Sequence, residues 1–259
     1  MRRQVLPEPD VDSFFAEVLR AGPDTPMIRE ILARRMPDDA LLVAVLRRGV
    51  SVRFLEHVGT VPPWSDHPLV LGGVVRNPKT PRALALKLLP YLYWRDLAEA
   101  AASPWLQGGV RARAEGLLKE MIPEMRLGER MTCARLATPA ALKLLLADSD
   151  KKVVEASLEN PRLREEDLLL QIRGNEVPVL LLDATAASSR WGHRYAVRLA
   201  LALQPRTPLS LALGQLSSLL RGDLLRVSET EGLRPLVQAA AFRVARDRPV
   251  DRSSGRSAT

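Results

Sequence analysis

The chain has 259 residues, 46% apolar, 26% charged and only 4% aromatic, and carries a formal net charge of +8. That balance is expected of a globular chain in water, and no run approaches the roughly 18 apolar residues of a membrane span. Its single cysteine, Cys133, excludes an internal disulfide and any Cys-clustered zinc or iron–sulfur centre.

Ala and Leu supply most of the apolar side, which suits packed helices better than sheets, because both are strong helix formers and strands favour β-branched and aromatic residues. The opening MRRQVLPEPDVDSFF has two arginines but no continuous apolar stretch, so no secretory signal is expected and a cytoplasmic location is. DVDSFFAEVLRAG (10–22) reads as a helix closed by Gly22, and TPMIREILARRM (25–36) as one begun by Thr25-Pro26. DDALLVAVLRRG (38–49) and SVRFLEHVG (51–59) each start on a capping residue and are expected to end at glycine. TVPPWSDHP (60–68) is a proline-rich break, either a hinge or a wide corner.

Beyond it the chain writes one line twice. NPKTPRALALKLLPYLYWRDL (77–97) matches QPRTPLSLALGQLSSLLRGDL (204–224) without a gap, sharing among others Pro78/Pro205, Thr80/Thr207, Pro81/Pro208, Leu84/Leu211 and Asp96/Asp223. The residue before a proline is pushed out of the α region, so a helix is expected to stop near Asn77. Thr80 then reads as the N-cap of the next helix with Pro81 in its first position, and Thr207-Pro208 repeats the design. Leu84, Leu88, Leu89 and Leu92 form a stripe at helical spacing, as do Leu211, Leu216, Leu219 and Leu220. The match runs upstream to Trp64/Trp191 and downstream to Ala114/Ala241. Related corners stand between the copies, at Thr138-Pro139 and at Asn160-Pro161. The latter is followed by Glu165, Glu166 and Asp167, acids suited to the positive end of a helix dipole. Corners about 25 residues apart indicate stacked helical repeats.

The segment ADSDKKVVEASLENPRLREEDLLLQI resembles a leucine-rich repeat variant unit, a bacterial α-solenoid element with a D-x-D turn, a helix ending in Asn-Pro and a following helix. RYAVRLALALQPRTPLSLALGQL is similar, and the chain is broadly HEAT-like. The resemblance implies an all-α fold, a right-handed α-α superhelix of short antiparallel helices. On this reading 1–60 is a helical region capping the solenoid, 61–247 holds the repeats, and 248–259 is a disordered tail. The family's iron–sulfur cluster cannot carry over to a chain with one cysteine, and no cofactor is expected.

Catalytic and metal constellations are not expected. His57, His67 and His193 form no H-E-x-x-H pair, no phosphate loop or G-x-S-x-G occurs, and Asp148 and Asp150 read as turn formers. Cys133 reads as a buried small hydrophobe. The basicity comes from 32 arginines against 6 lysines, and 246–259 contributes only +2 of it. It implies an anionic partner, or merely the codon usage of a GC-rich genome. SRWGHRYAVRLA (189–200) is the candidate surface: on a helix, Trp191 and Tyr195 would be neighbours, as would Arg194 and Arg198, with Arg190 nearby. The opposing reading makes Trp191 a packing residue, as the matching Trp64 suggests. Arg111 and Arg113 form a second basic spot. The expected function is that of a non-enzymatic solenoid scaffold binding a macromolecular partner, foremost a protein; the alternative is a nucleic-acid-binding HEAT-like protein with an arginine-rich face. No membrane partner is expected.

Overall fold

The computed structural model describes residues 8–248, so the tail set apart above lies outside the described residues from 249 onward. Among the described residues there are 17 α-helices, three short 3-10 turns and no strand. The chain divides into two compact units, Met1–Met125 and Arg126–Thr259.

In the first unit α1 (Glu8–Ala21), α2 (Thr25–Arg35), α3 (Asp39–Leu46) and α4 (Val52–Thr60) are followed by α5 (Pro68–Arg76), α6 (Arg82–Leu88), α7 (Trp94–Ala102) and α8 (Gly108–Met121). Helices this short are marginal alone in water and persist only through packing. Each touches its next-but-one neighbour, giving one row α1-α3-α5-α7 and a second row α2-α4-α6-α8. The α1–α4 region read above as a cap is therefore packed within the same unit as α5–α8.

Local chemistry explains most of the boundaries and corrects several expectations. Gly22 closes α1 with φ +56°. Asp24, not Thr25, caps α2 by accepting from the Met27 N–H at 3.2 Å. Asp38 and Ser51 cap α3 and α4 as expected, accepting from Leu41 and Phe54. Neither helix ends at its glycine: α3 stops at Leu46 before Gly49, and α4 runs past the buried Gly59 to Thr60. The 60–68 break is a packed corner in which Trp64 is buried within a 3-10 turn.

The second unit comprises α9 (Leu127–Leu136), α10 (Pro139–Leu145), α11 (Lys151–Leu158), α12 (Glu165–Ile172), α13 (Val179–Ala187), α14 (Tyr195–Leu203), α15 (Leu209–Leu216), α16 (Arg221–Glu229) and α17 (Pro235–Arg246). Here α12, α14 and α16 pack as one row, while α11 joins α9 to α13 and α15 meets α17. Thr138 and Pro139 take the N-cap and first positions of α10, and Asp150 caps α11, as the corners imply. Asp148 Oδ1 accepts from the Asp150 N–H at 2.9 Å, and its carboxylate meets Arg130 at 2.9 Å. Leu220, placed above on the leucine stripe at helical spacing, is 54% exposed, whereas Leu216 and Leu219 are buried. The helix has ended at Leu216, so the periodicity no longer applies at 220.

Shifting the first unit by 127 residues superimposes its helix boundaries on the second: α4 on α13, α5 on α14 and α7 on α16 to the residue, and α3, α6 and α8 on α12, α15 and α17 to within two. The correspondence thus begins about 25 residues upstream of Trp64, where shared residues stop being visible.

Three corners share a side-chain staple. Asn77 Nδ2 donates to the carbonyls of Leu46 (2.7 Å) and Arg48 (2.9 Å), while its Oδ1 accepts from the Lys79 N–H. Asn160 does the same with Ala134 (2.6 Å), Ala137 (3.2 Å) and the Arg162 N–H. Gln204 takes Ile172, Gly174 and the Arg206 N–H. Each amide closes its own corner and also satisfies carbonyls left open at the end of an earlier helix, which buried backbone requires. This changes the reading of the Thr-Pro starts. Thr80 sits on the closed corner and donates back to Val74 O at 2.5 Å instead of capping α6, and Pro81 takes the cap position. Pro208 likewise precedes α15, and the Thr207 hydroxyl is buried without a partner.

Cys133 lies fully buried on α9, and desolvation pushes its thiol up to about 11. The thiolate is the reactive form. A soluble thiol reagent at pH 8 should therefore leave the folded protein unlabelled and react stoichiometrically once urea unfolds it; fast labelling of the native chain would contradict this burial.

Candidate binding clefts

The candidate surface at 189–200 is not a helical face. Residues 188–194 form a turn between α13 and α14; Arg194 is the N-cap, and only Tyr195 and Arg198 belong to α14. Trp191 is 1% exposed, and its Nε1 donates to Leu158 O at 2.8 Å. The guanidinium of Arg190 lies 4.5 Å from the ring centroid and that of Arg194 lies 4.8 Å from it. Arg190 also donates to the carbonyls of Asn160 (2.8 Å) and Leu163 (3.1 Å), Arg194 pairs with Glu165, and Arg198 Nε donates to Gly192 O at 2.9 Å. The turn therefore brings these four residues together as an internal lock on the α11–α12 corner, and the indole has no face left for a nucleobase. The packing reading of Trp191 holds.

Gly192 makes this turn sterically feasible. A Cβ there would lie 2.3 Å from Ala186 O and 2.9 Å from Ser188 O, both backbone atoms that cannot swing aside. Gly192→Ala should cost about 2 kcal/mol, as for overpacked cores, read as a lower urea midpoint at constant m-value. An unchanged midpoint would show that the turn relaxes freely.

Arg111 and Arg113 stand exposed on α8 in the first unit, Arg113 lying 3.9 Å from Glu120. Many other arginines are engaged at helix ends. Arg162 donates to Leu136 O at 2.7 Å, and Arg248 to the carbonyls of Ser217 and Leu219. Cations there complement the negative end of the helix dipole and fill acceptors that short helices leave in excess. Part of the positive charge is thus structural.

Each unit also holds a cleft of about 390 Å³. The first opens between α3, α5 and α7 and is bordered by Val43, Leu46, Arg47, Arg76, Glu99 and Trp105. The second opens between α12, α14 and α16 and is bordered by Arg173, Leu199, Leu203, Gln204, Arg206 and Arg226. They occupy the same place in the two halves: Gly73, Arg76, Asn77, Pro78 and Glu99 of the first become Ala200, Leu203, Gln204, Pro205 and Arg226 of the second under the 127-residue shift.

Their electrostatics differ. In the first cleft Arg76 is held between Asp96, at 3.2 Å, and Glu99. Burial raises the Asp96 carboxyl above the ordinary range, against the pull of Arg76. This border neutralises itself, and Trp105 stands beside it 78% exposed. In the second cleft Leu203 replaces Arg76 and Arg226 replaces Glu99. No carboxylate borders it, and among the described residues Arg173, Arg206 and Arg226 form no ion pair and donate no side-chain hydrogen bond. None of these three was singled out in the sequence; comparing the two copies for reversed charge, Glu99 against Arg226, would have flagged one of them.

Comparison with protein-family models, with curated proteins and with solved structures returns no match. Among the described residues no helix is long and apolar enough to cross a membrane, and no group of three His, Cys, Asp or Glu side chains is placed to hold a metal.

Proposed function

We propose that this chain is a non-enzymatic scaffold of the α-solenoid kind, similar to HEAT-like and leucine-rich repeat variant proteins, that binds a macromolecular partner, a protein. The observation that carries this reading is the recurrence of one cleft at the same position in both units, each framed by the C-terminal parts of helices packed in a row. Stacked short helices offer an extended surface to an extended partner. The D-x-D turn, the Asn160 staple and the paired helices that follow support the family likeness. A nucleic-acid partner is the second reading and rests on the arginine excess, but the lock at 189–200 engages three of those arginines, Arg190, Arg194 and Arg198.

The test is affinity capture with the full chain from nuclease-treated extract of its source cells. A protein retained in stoichiometric amount after nuclease supports the reading. Recovery that disappears with nuclease treatment transfers it to nucleic acid, and turnover of a small metabolite by the purified chain refutes a non-enzymatic role.

A further inference from the structure

We infer that the cleft between α12, α14 and α16 binds the carboxylate side chains of an acidic, aliphatic-rich segment of a partner protein, gripped by Arg173, Arg206 and Arg226 over a floor of Leu199 and Leu203; this rests on the scaffold reading above.

Three observations converge on this ligand chemistry. The first is charge. Each arginine at the rim lacks an acidic partner among the described residues, and no carboxylate borders the cleft. A guanidinium presents a planar fork that matches a carboxylate with two parallel hydrogen bonds, so several unpaired ones around a concavity constitute an anion receptor.

The second is the contrast with the other copy. The equivalent cleft of the first unit keeps an acid at the Glu99 position and ties it to Arg76. The second unit carries Arg226 there and Leu203 in place of the opposing arginine. The same scaffold position is therefore self-neutral in one unit and purely cationic in the other. Stability does not require the cationic version, because the first unit packs the same helices around an ion pair.

The third is the floor. Leu199 and Leu203 are half-buried on α14 and pack against the core made by Ala212, Leu216, Leu224 and Val227. An aliphatic side chain adjacent to a carboxylate would cover them, whereas single-strand binders add aromatic stacking platforms to their cationic grooves, and no aromatic ring borders this cleft.

The experiment measures fluorescence anisotropy of a labelled short peptide of alternating Glu and Leu with the full chain. Peptides with Gln in place of Glu, and a labelled single-stranded oligonucleotide, serve as comparisons. The acidic peptide should bind, more weakly as salt rises, and the Gln peptide should not. Arg226→Glu, which writes the first unit's residue into the second, should weaken binding by about tenfold or more, the effect of losing one charge-assisted contact. Arg173→Ala with Arg206→Ala should act in the same direction. Arg135→Ala, at an exposed position on α9 away from the cleft, should leave binding unchanged. The three rim residues are exposed, so their variants should retain the helical signal and melting temperature of the parent. No acidic-peptide binding, equal binding by Arg226→Glu, or tighter binding of the oligonucleotide through the same arginines would each overturn the inference. If Arg226→Glu still captures the same protein from nuclease-treated extract, this cleft is not its site and the scaffold reading stands. If the parent chain captures none, it is the scaffold reading that fails.

Discussion

Asn160→Ala should lower the stability of the second unit by about 4 kcal/mol, far beyond the cost of deleting an ordinary polar side chain. The amide is fully buried and makes contacts at 2.6, 3.2 and 2.7 Å with Ala134 O, Ala137 O and the Arg162 N–H. Alanine would leave two carbonyls at the end of α9 and one N–H in the corner without that partner. An unsatisfied buried group costs about 1–3 kcal/mol, and the hole left by the amide adds to it. Two companion variants separate hydrogen bonding from packing. Asn160→Asp keeps the acceptor but puts a carboxylate against two carbonyl oxygens, so it should be at least as damaging. Asn160→Gln should be milder, because Gln204 performs the same task at another corner of this kind. Urea unfolding reads all three; a loss below about 1 kcal/mol for Asn160→Ala would mean that water replaces the staple at little cost.

Trp191→Ala is expected to cost about 4 kcal/mol, within the usual range for removing a large buried aromatic. It empties a buried volume, frees Leu158 O from its indole donor and removes the ring on which Arg190 and Arg194 lie. Trp191→Phe keeps much of that volume and should lose only about 1–2 kcal/mol, mainly the hydrogen bond. Trp105→Ala, at the exposed tryptophan, should stay within about 0.5 kcal/mol of the parent. The three variants separate a packing role from a recognition role: if Trp191→Ala left stability intact while abolishing capture of a partner, the ring would belong to a recognition surface.

These two residues mark where reading along the chain stops working. Asn160 was legible as a helix stop, because a following proline excludes the α conformation whatever surrounds it. Its larger role depends on carbonyls 23 and 26 residues back, which only chain packing brings within reach. The repeated polar amide before proline, at Asn77, Asn160 and Gln204, was the available signal. The arginines at 190, 194 and 198 show the same limit. Helical spacing puts Arg194 and Arg198 on one face with Arg190 nearby, but α13 ends at Ala187 and α14 begins only at Tyr195, and the side chains turn to Asn160 O, Glu165 and Gly192 O. A valid local rule makes Thr80 and Thr207 caps, but it loses to the closed corner before each of them.

By itself the sequence determined the helical class, several helix starts and stops, most of the buried leucines of the repeated line and the recurrence of that line 127 residues on. Each of these rests on interactions within one or two turns of chain, where proline geometry, capping side chains and apolar spacing decide the outcome. The tertiary structure alone decided which amides staple which corners, which arginines serve helix ends and which border a cleft without an acid. Those outcomes depend on atoms some 20 to 35 residues apart in sequence, and a cation's role is set by the groups that folding places beside it.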